Sequence, residues 1–239
     1  MNDQHGFKQF NLAQIILYHL LPGVPMLLLS LIFASPTWGL GLPITLSLMS
    51  AAAIGLLPTL WAIPYITARR QGKKFREIIG FTEKMSTAKT IGLALPFLAY
   101  ALFVFMVIAP IEHPLWTIFN WVPDWFRVDR FDPSASKGFI LILTIIMNFV
   151  VNGLFGPFTE EVYFRGFLLP RMGKLGNAAP FMNAVLFSLY HLFTPWENIT
   201  RILALTPIVY IIWKKKNIRI GIWFHCLINT LSCVAMLFS

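Results

Sequence analysis

Several stretches of this chain stay apolar for about as long as a helix needs to cross a bilayer, and that property limits what it can fold into. A spanning helix takes about 20 mostly apolar residues. The first such stretch covers 11–34 and carries Pro22-Gly23-Val24-Pro25, which predicts a kink. Others run over about 40–67, 90–110 and 138–155. Gly156-Pro157 predicts a break or kink at the end of the fourth. A half-polar helix is expected over 158–172, then apolar runs over 178–193, 198–213 and 218–238. The expected fold class is therefore all-α, a polytopic transmembrane bundle of about eight helical segments. The first run is too long for the apolar core of a signal peptide. It has only Lys8 as a basic residue in front and a poor cleavage sequence, Ala34-Ser35-Pro36, so it reads as a retained span.

Composition agrees. Of 239 residues, 57% are hydrophobic and 12% charged, against about 25% charged in soluble domains. A soluble enzyme, a disordered chain and a secreted disulfide scaffold are all excluded on that ground. Cys226 and Cys233 lie two helical turns apart, about 10.5 Å along an axis, too far for a disulfide within one helix. The excess of 19 basic over 10 acidic residues sits in short loops rather than in a stripe interleaved with aromatics, so nucleic acid is not an expected partner. Membrane lipid is.

Basic loops set the orientation. The loop 68–89 holds Arg69, Arg70, Lys73, Lys74, Arg76, Lys84 and Lys89 and should be cytoplasmic, which puts the N-terminus on the same side. Arg171/Lys174 and Lys214-Lys215-Lys216/Arg219 mark two further cytoplasmic turns. The loop 111–137 carries Trp116, Trp121 and Trp125 with mixed charges, and is expected to hold a short interfacial segment on the opposite side. Two regions follow within one membrane domain. Residues 1–137 supply three spans and the tryptophan loop, and 138–239 form a C-terminal bundle.

Ionisable groups inside apolar spans are costly and mark functional sites by default. Three clusters qualify: Thr159-Glu160-Glu161-Val162-Tyr163-Phe164-Arg165, Phe187-Ser188-Leu189-Tyr190-His191, and His225-Cys226-Leu227-Ile228-Asn229. Glu161 and Arg165 are an i,i+4 pair and should be bonded. Glu160 is rotated from Glu161 by about 100° and points elsewhere. This assigns Glu161–Arg165 an orienting role and Glu160 a chemical one. Phe187 and His191 share a face, as do His225 and Asn229. Taken singly, each cluster also reads blandly: acids at a solvated helix start, a backbone-bonded histidine, an interhelical polar clamp. Depth favours the joint reading. Counted from the basic turns, Glu160 lies about 16 Å deep, His191 about 20–25 Å, and His225 about 13 Å with Asn229 about 6 Å beyond it. All four can meet in one layer, and a carboxylate with two imidazoles and an amide is the usual makeup of a hydrolytic centre. Asn148 and Asn152 either face that interior or serve as structural hydrogen-bonders.

Glu160-Glu161-x-x-x-Arg165, Phe187-x-x-x-His191 and His225-x-x-x-Asn229, in that order on successive helices, resemble the CPBP family, which includes the CAAX prenyl endopeptidases and the bacteriocin-processing or immunity (Abi) proteins. The resemblance covers about 138–238. It implies an intramembrane endopeptidase with a cavity open to the cytoplasm, Glu160 activating a water, and His191, His225 and Asn229 around it. Glu161, Arg165 and Phe187 would orient the site. The implied partner is a peptide or lipid-modified peptide substrate, and the expected location is the plasma membrane of a prokaryote. Two histidines and a glutamate suit Zn²⁺, with His191 and His225 as its ligands, but His-Glu-x-x-His is missing, and a metal-free glutamate mechanism fits equally well. Two other classes remain: a non-catalytic immunity or scaffold protein of the same fold, and a proton-coupled transporter. The latter is disfavoured because the polar residues cluster in only one half.

Overall fold

The computed structural model describes residues 6–127 and 137–237. Among them the chain is helical, with no strand and one isolated antiparallel bridge between Thr82 and Asn217. Four helical stretches are long and apolar enough to cross a membrane: Leu12–Ala34, Ile44–Arg70, Thr87–Phe119 and Gly138–Leu189. The first is divided at Leu21-Pro22 into α1 (Leu12–Leu20) and α2 (Gly23–Ala34). Asn11 starts α1 with a capping box, its side chain accepting from the Gln14 amide while Gln14 reaches back. Ile44–Arg70 is α3 and Thr87–Glu112 is α4. Part of the expected tryptophan loop, 128–136 with Asp129, Arg130 and Asp132, lies outside the described residues.

The last membrane stretch is not one rod. It comprises α5 (Gly138–Met147) with a π-helical continuation Asn148–Phe155, then α6 (Gly156–Glu160) with a second π-helical continuation Glu161–Leu168. A 3₁₀ segment with a non-helical Gly176 (φ 53°) turns the chain into α7 (Ala179–Leu189). The break expected at Gly156-Pro157 does not occur. The Gly156 N–H bonds the Val151 carbonyl five residues back, which widens the helix where proline would otherwise clash. A Cβ on Gly156 would lie 2.6 Å from that oxygen, so glycine fits the widened turn. The chain therefore reaches Glu160 along a continuous helix rather than through a loop.

Two further helices close the bundle, α8 (Asn198–Lys215) and α9 (Arg219–Ala235). Lys216 adopts φ 49° in the tight turn between them. The basic loops meet there: the Arg219 guanidinium donates to Met85 O (3.0 Å) and Thr87 Oγ1 (2.8 Å), and the Ile218 N–H to Phe81 O (2.8 Å). At the far end of α8, Glu112 is buried and caps the helix. It accepts from the Ile199 and Thr200 amides at 2.9 and 3.1 Å and from the Thr200 hydroxyl. A carboxylate there satisfies orphan N–H groups and suits the helix dipole.

The N-terminal third is stitched to the C-terminal bundle. Tyr163 Oη donates to Tyr18 O at 2.7 Å, Asn183 Nδ2 lies 3.0 Å from His19 Nε2, and the Phe10 N–H bonds Arg171 O at 3.0 Å. Every residue of Glu161–Leu168 is buried, so the segment that follows Glu160 is wrapped by its neighbours on all sides.

Candidate active site

Glu160 ends α6 and Glu161 begins its π-helical continuation, so the two carboxylates leave the same turn in different directions. Both are buried, 8% and 2% exposed, which for a carboxylate demands partners. Glu160 Oε1 accepts from Tyr190 Oη at 2.6 Å, and Oε2 lies 3.7 Å from His225 Nε2. Glu161 Oε1 lies 3.1 Å from Arg165 Nη1 and 3.1 Å from His225 Nδ1. The i,i+4 pair read from the sequence is thus present, and His225 joins it from α9. The two acids address the two nitrogens of one imidazole.

This sets the tautomer of a neutral His225. An ionised carboxylate only accepts, so at 3.1 Å the Nδ1 must carry the hydrogen. In the neutral ring Nε2 is then a lone pair facing Glu160. His191 reaches the same state by another route. It stands in the turn just past α7, with Nδ1 2.8 Å from Phe187 O, an acceptor, which leaves Nε2 unprotonated.

Phe187 separates the charged groups. The Arg165 guanidinium lies 4.0 Å from its ring centroid, and the rings of His191 and His225 pack on it at 5.0 and 5.8 Å. Glu160, Glu161, Arg165, Phe187, Tyr190, His191 and His225 thus form one connected cluster. Asn229 sits at its edge, one turn beyond His225, turned toward α5. Its Nδ2 donates to Asn152 O (3.0 Å) and Asn152 Oδ1 (3.2 Å), and Asn152 donates to Asn148 Oδ1 (3.2 Å).

Gly221 of α9 lets Glu161 into this space. A Cβ there would lie 2.2 Å from Glu161 Oε2 and 2.6 Å from Ile212 Cδ1. Glu161 is held by Arg165 and His225 and cannot retreat freely. Gly221→Ala is expected to displace the carboxylate and destabilise the protein by about 1–3 kcal/mol through overpacking. Thermal unfolding of the purified variant in detergent checks this, and an unchanged midpoint would mean that α9 has room to move.

Among the described residues no three His, Cys, Asp or Glu side chains converge to hold a metal ion. His225 already has both nitrogens facing carboxylates, and His191 has one nitrogen on a backbone carbonyl.

Two residues of the cluster have no place in the sequence reading. Tyr190 stands inside the second motif, and its signal was available: a tyrosine buried in an apolar bundle needs an acceptor for its hydroxyl. Gly221 carries no such mark, because its role is to be small opposite a residue 60 positions away.

The fold and cluster define a helical membrane protein built around a buried carboxylate–imidazole centre. Residues 142–231 match the family model for Rce1-like proteins, described as type II CAAX prenyl endopeptidase Rce1-like, so that segment is similar to this family. The matched segment contains all three motifs. No curated protein and no solved structure matches the chain.

Proposed function

We propose that this protein is an intramembrane endopeptidase that hydrolyses a peptide bond near the membrane with a water activated by Glu160. One observation carries the reading. Glu160 Oε2 and His225 Nε2 face each other 3.7 Å apart, too far for a direct bond, and in the neutral ring with its hydrogen on Nδ1 that Nε2 is a lone pair. Both are acceptors, and a water, with two O–H groups, can serve both at once.

In this reading one water proton passes to Glu160 Oε2, and the oxygen forms its bond to the scissile carbonyl carbon. His191 presents a second imidazole nitrogen to the same space. Glu161 holds His225 through Nδ1, and Nε2 accepts the water's other O–H, which aligns the oxygen for attack. Asn229 contributes an amide hydrogen by turning from Asn152 to the substrate oxygen. The C–N bond breaks as Glu160 hands its proton to the leaving amine. No step is routed through a metal. The site faces the cytoplasm of a prokaryotic cell, beneath the paired basic loops, with the N-terminus on that side. The substrate is a peptide or lipid-modified peptide.

Comparative peptidomics tests the activity. Membranes of a deletion strain carrying the wild-type gene should contain at least one cleaved peptide that is intact in the same strain carrying Glu160→Gln. Identical peptide sets would contradict the proposal and favour a binding role. A chelator separates the two chemistries. Cleavage of that peptide by purified protein should stay within about twofold when EDTA or 1,10-phenanthroline is added, whereas a metal-dependent enzyme loses its activity.

A further inference from the structure

We infer that Tyr190 is a positioning residue for Glu160: its hydroxyl pins Oε1, which reserves Oε2 as the oxygen that exchanges the proton. The inference rests on the proposed hydrolytic role of Glu160 and adds a residue at one of the unspecified positions of the second motif.

The bond is short and dry. Tyr190 Oη lies 2.6 Å from Glu160 Oε1, and Tyr190 has no exposed surface. A phenol has one hydrogen to give, and here the carboxylate receives it. Such a charge-assisted bond is about twice as strong as a neutral one. The donor is itself immobile. The ring of Tyr190 packs against Phe164 (4.8 Å), Phe187 (5.3 Å) and His191 (4.1 Å). Its backbone is pinned as well, because α2 approaches so closely that a Cβ on Gly23 would lie 2.2 Å from Tyr190 O.

A fixed donor matters because a glutamate carboxylate is loosely held by its own torsions. The terminal torsion is broad and two-fold, so the two oxygens exchange places unless something distinguishes them. Tyr190 distinguishes them. With Oε1 tied back, the carboxylate plane is set and Oε2 faces His225. Tyr190 is also the residue before His191, so one chain segment carries both the donor to Glu160 and the second imidazole. An error of about 1 Å at a reacting group costs on the order of 100-fold in rate.

Tyr190→Phe removes the hydroxyl and keeps the ring. A quenched fluorogenic reporter carrying the peptide that the wild-type protein cleaves serves as the probe, with purified protein in detergent. The expected result is a fall in kcat of about 10- to 100-fold, the effect of one buried bond to a charged group, with KM within about twofold because Tyr190 has no exposed surface to offer a peptide. A merely structural tyrosine would instead lower the unfolding temperature and yield while kcat per folded molecule stayed at the wild-type value. That result overturns the inference. Tyr190→Met, which also lacks the hydroxyl, provides the same reading if the phenylalanine variant does not accumulate. A cycle with Glu160→Asp sharpens the test. The shortened carboxylate no longer reaches Tyr190, so adding Tyr190→Phe to it should cost no further activity. Glu160→Gln is run alongside. If that variant keeps full activity, the hydrolytic reading fails. If it is inactive while Tyr190→Phe matches wild type, only the positioning role fails.

Discussion

Glu160→Gln is expected to lower kcat for peptide cleavage by about 10³- to 10⁴-fold, the upper range for removing a general base, with KM and the unfolding temperature close to wild type. The reasons lie in the contacts of the residue. Glutamine has the same shape, and its amide oxygen can still accept from Tyr190 Oη, now at 2.6 Å from Glu160 Oε1. The fold therefore loses little. The reaction loses the only group at that position able to take a proton from water and return it to the amine. The nitrogen in place of Oε2 only donates, so it cannot take a proton from a water shared with His225 Nε2. Steady-state kinetics with the reporter, paired with thermal unfolding, measures both quantities. A large fall in stability with a small fall in kcat would reverse the roles assigned to the two glutamates.

Arg165→Met has the second large effect, on stability. Arg165 and Glu161 are 1% and 2% exposed and lie 3.1 Å apart. Replacing the pair by apolar groups can be nearly neutral, but removing one partner strands the other charge in a low-dielectric interior, at about 3–5 kcal/mol. Arg165→Met also removes the guanidinium from the face of Phe187, which was 4.0 Å away. The variant is expected to unfold at a markedly lower temperature or to fail to accumulate. Adding Glu161→Gln removes the stranded charge and should recover a large part of the loss. The double variant should still turn over slowly, because His225 then lacks the carboxylate that holds its Nδ1. If Arg165→Met unfolds at the wild-type temperature, the ion pair does not organise this core.

How much of this was legible in the sequence depends on the range of each interaction. Glu161 and Arg165 pair through i,i+4 geometry, a local property of any helix, and spacing alone predicted it. The different directions of Glu160 and Glu161 also follow from helical rotation. The contacts that give those directions meaning do not. His225 reaches Glu161 across 64 residues, Tyr190 reaches Glu160 across 30, and Asn229 reaches Asn152 across 77. Spacing placed Asn229 on the face of His225, but only packing shows its amide engaged by α5. Of the break or kink expected at Gly156-Pro157, the break is absent for a different reason. Proline rules assume an α-helical carbonyl four residues back, and the π-helical turn ahead of it shifts that carbonyl away. Glu112 shows the reverse limit. As a loop acid it is unremarkable in sequence, and its burial follows from the start of α8 arriving opposite it.

The central claim is that Glu160 drives hydrolysis and does not merely help to hold a partner. The most direct test is binding and cleavage measured together on one purified variant, Glu160→Gln, with the peptide that the wild-type protein cleaves. The variant is expected to hold the intact peptide with a Kd within about threefold of that of wild type, since ground-state binding is largely untouched, while product formation is lost. A Glu160→Gln protein that releases product at the wild-type rate would contradict it.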